Sequence, residues 1–210
     1  MTAVRPRDLL RLTRTRGIVP ADAPGWVAPV LKGAAWIVVR RGGGRNGMRD
    51  GRIPVGVRGP TRAHRFASEI PADSVAEALT PEKLATRRSM VIRTLSAFRR
   101  LHAVASVIEE ATHLPWGPTG SVGFELAAGV PVVTATSDLD LMIRSATLPP
   151  RAVAERVHQV LGRLPARVDC LIETDEGAVA LGELVSSADA VLLRTPAGPR
   201  LVPVPWQETG

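Results

Sequence analysis

Tyrosine is absent from this 210-residue chain, and phenylalanine occurs only at Phe66, Phe98 and Phe124. Single-strand nucleic-acid binders stack bases on aromatic side chains, so this shortage counts against nucleic acid as a partner. Cysteine occurs once, at Cys170. An internal disulfide framework is excluded, and with it any demand for an oxidising compartment; the cytoplasm is the expected location. No apolar run approaches the ~20 residues of a membrane span, and no membrane partner is expected. The opening stretch MTAVRPRDLLRLTRTRG is basic but lacks the apolar core and small-residue cleavage site of a signal peptide. Lysine is nearly missing too, with Lys32 and Lys83 the only ones.

What remains is apolar and arginine-rich. Apolar residues make up 45% of the chain, enough for one large domain or two small ones without staples. The net charge of +7 and isoelectric point near 11.2 favour a polyanionic partner: nucleic acid, which the shortage of aromatics disfavours, a phosphorylated small molecule or an acidic protein.

The N-terminal third reads as strands joined by glycine-rich turns. Ala34–Arg41 clusters Trp, Ile and Val. Gly42–Gly47 follows as a connection without the Gly-Lys-Ser/Thr of a phosphate loop. Ile53–Arg58 returns as a strand in which Pro54 suggests an edge or a start, and Arg65–Ile70 forms a third. Ser74 is positioned to cap a short helix over Val75–Leu79, and Thr80-Pro81-Glu82 resembles another helix start. Between Ser89 and Ala111, apolar residues recur at helical spacing: Val91, Leu95, Phe98, Leu101, Ala105 and Ile108. Beyond them a helix over Gly120–Ala128, strand structure within Val132–Arg144, a helix over Arg151–Leu164 and strands at Arg167–Thr174, Ala190–Arg194 and Leu201–Val204 alternate. This mixture predicts an α+β protein in two parts, a smaller β-rich part over 1–80 and a larger domain over 81–210.

The informative stretch runs from Leu114 to Arg144. Asp138 and Asp140 alternate with Leu139 and Leu141, so period two puts both carboxylates on one face and both leucines on the other. The carboxylates then lie about 7 Å apart along the backbone. Their repulsion is best offset by a bound divalent cation, Mg²⁺ or Mn²⁺, with phosphates completing its ligands. Upstream, Gly120-Ser121 opens a helix, and a helix N-terminus offers free N–H groups and a positive dipole end to phosphate. An anion cradle next to a metal site is equipment for phosphoryl or nucleotidyl transfer.

With these residues in place, the chain resembles a known family. Gly120-Ser121 with Ser137-Asp138-Leu139-Asp140-Leu141 is similar to the nucleotidyltransferase superfamily. The wording from Trp116 to Leu126 and from Thr134 to Leu141, with Val55–Pro60 and Arg65-Phe66-Ala67, resembles its phosphoribosyl-dephospho-CoA transferase branch. The resemblance implies a nucleotidyltransferase-like mixed sheet flanked by helices. It also implies a reaction, in which triphosphoribosyl-dephospho-CoA is the substrate and a serine of the acyl-carrier subunit of malonate decarboxylase the acceptor. A third carboxylate from a neighbouring strand belongs to the superfamily pattern, and Asp169 is its best match here, with Glu173 the alternative.

Arg58, Arg62 and Arg65 form a basic cluster, and Arg58, Arg62 and Arg144 are candidates for the substrate phosphates. The four histidines, His64, His102, His113 and His158, lack metal-ligand spacing. Two other readings stand beside the first: a nucleotidyltransferase that uses an ordinary nucleoside triphosphate, and a non-catalytic basic adaptor.

Overall fold

The computed structural model describes residues 4–15, 18–42, 50–61, 63–86, 105–106, 108–134, 136–164, 167–204 and 206. The chain divides into two compact units, Met1–Thr80 and Pro81–Gly210. Each has its own sheet, and the α+β class holds.

The first unit carries an antiparallel five-stranded sheet of β1 (Leu9–Leu12), β2 (Trp36–Val39), β3 (Arg52–Arg58), β4 (Arg65–Pro71) and β5 (Val75–Leu79), in the order β4-β3-β2-β1-β5. Leu10, Leu12, Ile37, Val39, Ile53 and Val55 form its core with Val27 and Leu31 of the Val27–Gly33 helix. Two expectations are corrected. Val75–Leu79 is a strand, because Leu9↔Leu79, Leu10↔Ala78 and Arg11↔Glu77 pair it with β1, which outweighs the local helix preference of Val-Ala-Glu-Ala-Leu. Pro54 sits in an interior strand, near its start. It lies beyond the last β2 pair, Val39↔Val55, where its carbonyl accepts the Arg40 N–H and no donor is needed.

The second unit carries a six-stranded mixed sheet of β6 (Trp116–Pro118), β7 (Leu139–Arg144), β8 (Val168–Glu173), β9 (Ala178–Ala180), β10 (Ala190–Thr195) and β11 (Gly198–Pro203). The order is β11-β10-β9-β8-β7-β6, and every pair is antiparallel except β7 with β8. The Arg151–Gly162 helix makes that parallel crossover, with Ala154, Val157 and Leu161 buried along one face. The Gly120–Ala128 helix packs on β7. Strand structure expected from Val132 begins only at Leu139, so Asp138 directly precedes β7. Of the run from Ser89 to Ala111, residues 105–106 and 108–111 are helical, and the rest lies outside the described residues, as does most of Gly42–Gly47.

Candidate active site

Leu139, Leu141 and Ile143 are 0–1% exposed and anchor β7 in the core. Asp140 therefore leaves from the opposite face, as the alternation requires. The parallel register sets Asp140 directly beside Asp169, followed by Met142 beside Leu171 and Arg144 beside Glu173. Adjacent strands lie about 4.8 Å apart, so Asp140 and Asp169 are neighbours on one face. Asp138 is half-buried just before the first rung, where the Leu139 N–H donates to the Arg167 carbonyl at 3.0 Å.

The helix start is built onto the same strand. β6 pairs with β7 through Pro118↔Leu141. The next N–H, that of Thr119, donates to the Asp140 carbonyl at 2.8 Å. Gly120 then turns the chain into the helix with φ 58°, and a Cβ on it would stand 1.8 Å from Asp140 Oδ2. The helix N-terminus and the carboxylate thus meet at a point where only hydrogen fits. Ser121 is 6% exposed, directly inside this turn.

The remaining candidates separate. Arg144 sits at the far end of β7, buried, with Nε 3.1 Å from Glu82 Oε1 and Glu173 as its register neighbour. Its charge is engaged within the unit, away from Asp140. Glu173 shares that buried end, which leaves Asp169 as the carboxylate beside Asp140. Asp169 is half-exposed, with Arg167 Nε 3.5 Å away, a contact of little energetic weight at that exposure. Arg58 lies on β3 of the first unit opposite Arg65, and Arg62 lies outside the described residues. Among the described residues, no three His, Cys, Asp or Glu side chains converge as a metal cluster. Glu125, in the middle of the helix that starts at Gly120, is buried.

Cys170 pairs with Leu141 and turns away from the acidic face into the core. Burial pushes its thiol from 9.0 up to about 12, so at neutral pH it is protonated and is no nucleophile. Because the folded value is raised, its stability contribution is complete below about pH 9 and is lost as pH climbs toward 12. Urea unfolding at pH 8 and pH 10 is expected to show wild type losing on the order of 1 kcal/mol more than Cys170→Ala over that interval.

Residues 83–205 match the phosphoribosyl-dephospho-CoA transferase MdcG C-terminal domain, and residues 5–81 match the corresponding N-terminal domain. The chain belongs to the phosphoribosyl-dephospho-CoA transferase family. Relatives named phosphoribosyl-dephospho-CoA transferase align along nearly the whole chain. One from Pseudomonas putida is 41% identical over 208 residues, covering 98% of this chain and 97% of its own. One from Pseudomonas aeruginosa is 38% identical over 202 residues, covering 96% and 93%. One from Klebsiella pneumoniae is 37% identical over 203 residues, covering 96% of each. No solved structure matches. As a member of the phosphoribosyl-dephospho-CoA transferase family the chain is a transferase, and among its described residues no helix is long and apolar enough to cross a membrane.

Proposed function

We propose that this protein transfers the phosphoribosyl-dephospho-CoA group from triphosphoribosyl-dephospho-CoA to a serine of the acyl-carrier subunit of malonate decarboxylase, in the cytoplasm, by nucleotidyltransferase chemistry. The observation that carries the chemical part is the meeting of Gly120 with Asp140, beside Asp169. Three elements there bring a helix N-terminus and two carboxylates together, which supports this reading.

A divalent cation fits this donor set. Mg²⁺ is commonly held by one or two carboxylates plus substrate phosphates rather than by an all-protein cage, and Asp138 and Asp140 supply two such oxygen donors. When bound, Mg²⁺ or Mn²⁺ neutralises phosphate charge and polarises the phosphoryl oxygens. The backbone N–H groups at Gly120 and Ser121 bind the phosphate oxygens and hold the phosphorus in line with the acceptor. Asp169 takes the proton of the attacking serine. A serine oxygen–phosphorus bond forms, the bond to the bridging oxygen breaks, and diphosphate leaves.

Charge divides between the units in a way that suits two partners. Met1–Thr80 holds 14 Lys and Arg against 6 Asp and Glu, a net +8, whereas Pro81–Gly210 holds 13 against 14, a net −1. The whole positive balance of the chain thus lies in the first unit, with Arg58 and Arg65 paired on its sheet. That unit carries the positive charge that attracts an acidic carrier.

Intact-mass analysis of the apo carrier, incubated with the protein, Mg²⁺ and triphosphoribosyl-dephospho-CoA, is expected to show one added prosthetic group. ATP offered in its place is expected to add nothing. A carrier left unmodified by folded protein sinks the substrate assignment, and labelling from ATP alone replaces it with an ordinary nucleotidyltransferase.

A further inference from the structure

Glu125 lies mid-way along the Gly120–Ala128 helix and is 1% exposed. Its Oε2 accepts the backbone N–H groups of both Val132 and Val133, each at 2.8 Å. Its Oε1 is buried with no hydrogen-bond partner among the described residues. A buried carboxylate with an unpaired oxygen is destabilising. Packing therefore does not account for Glu125. What it holds does.

After Gly129, which ends the helix with φ 69°, the chain doubles back without joining a sheet. The N–H groups of Val132 and Val133 have no strand to pair with, and the Glu125 carboxylate takes the place of one. Directly beyond, Thr134 and Ser137 close a turn on each other. The Thr134 N–H donates to Ser137 Oγ at 3.0 Å, and the Ser137 N–H donates to the Thr134 carbonyl at 3.1 Å. Asp138 comes next, and Leu139 is already pinned to Arg167. Asp138 is thus suspended between a turn anchored by Glu125 and the first rung of β7.

We propose that Glu125 is a positioning residue that fixes Asp138 through the backbone of Val132 and Val133. The same helix then sets both metal-holding aspartates, Asp140 against its N-terminus at Gly120 and Asp138 through the carboxylate at Glu125. This rests on the metal-dependent reading above.

Two variants separate geometry from charge. Glu125→Gln keeps a carbonyl oxygen in place to accept both N–H groups. Glu125→Asp keeps the charge and withdraws the acceptor by one methylene. Mn²⁺ binding followed by electron paramagnetic resonance, with amide hydrogen exchange over residues 132–138, reads the outcome without substrate. Glu125→Asp is expected to weaken Mn²⁺ binding at least about tenfold, the size of lost outer-shell support, and to speed exchange at Val132 and Val133 by a similar factor. Glu125→Gln is expected to stay within about threefold of wild type on both. Wild-type Mn²⁺ affinity in Glu125→Asp, or the reverse ranking of the two variants, overturns the proposal. Should wild type bind no Mn²⁺, the metal reading falls on its own. The exchange data then decide for Glu125: unchanged exchange in Glu125→Asp overturns its role, and accelerated exchange upholds it.

Discussion

Asp140→Asn is expected to lower carrier modification at least about a thousandfold, equivalent to about 4 kcal/mol of transition-state stabilisation, with the fold intact. The substitution is nearly isosteric, and it keeps the backbone bonds that place residue 140. Its carbonyl still accepts the Thr119 N–H, and its register beside Asp169 is set by the backbone. What is lost is a charged oxygen donor. The response of stability to metal is the more discriminating part of the prediction. Asp138, Asp140 and Asp169 gather like charge at one end of the sheet, and like charges at close range oppose one another. Asp140 also faces the N-terminal end of the Gly120–Ala128 helix, which favours its charge, so without metal Asp140→Asn is expected to melt close to the wild-type temperature. Added Mg²⁺ is expected to raise the wild-type midpoint and leave that of the variant unchanged. Asp138→Asn is expected to behave alike. A variant that keeps wild-type turnover removes these aspartates from the mechanism, and one that melts well below wild type makes them structural.

The parts of this site differ in how far they could be read from sequence. Asp138-Leu139-Asp140-Leu141 announces its two faces by strict alternation, and the run from Gly120 to Ala128 is long enough to declare a helix. The pairing of Asp140 with Asp169 has no such local signature. It depends on a parallel register set by the Arg151–Gly162 crossover, and either Asp169 or Glu173 satisfies the alternation of β8. Only the register, with Glu173 falling beside Arg144, separates them. Arg144 looked available for phosphate because its partner Glu82 is remote in sequence and sits in a short helix, Pro81–Thr86. Glu125 left no trace because its partners are backbone N–H groups of irregular chain. Ala178–Ala180 and Leu181–Ser186 are too brief for periodicity to register. At Val75–Leu79, pairing with β1 overrode what the residues prefer alone. Local pattern identified the carboxylates and their faces; which of them meet is a property of the assembled sheet.

Gly120→Ala carries the second large effect, and Gly129→Ala supplies its control. Both glycines have positive φ, 58° and 69°, at the two ends of one helix. An alanine at either pays the same kind of backbone penalty, about 1 kcal/mol. They differ in what the new methyl meets. At Gly129 nothing lies within 4 Å, whereas at Gly120 the methyl would stand 1.8 Å from Asp140 Oδ2 and 2.7 Å from its Cγ. Contacts that short cannot persist, and the part free to move is the carboxylate itself. Rotation of the side chain relieves the Oδ2 and Cγ contacts, but it takes the donor oxygen away from the helix end, and Asp140 Cβ, 3.0 Å from the new methyl, must also give way. Gly129→Ala is therefore expected to lose about 1 kcal/mol of stability and keep its activity within about threefold. Gly120→Ala is expected to lose more stability than that and at least about a hundredfold in turnover, as misplacement of a reacting group by about an ångström does. Urea unfolding beside carrier modification measures both quantities on the same preparations. Equal activity losses in the two variants would assign the effect to backbone strain and take away the role given to the Gly120–Asp140 contact.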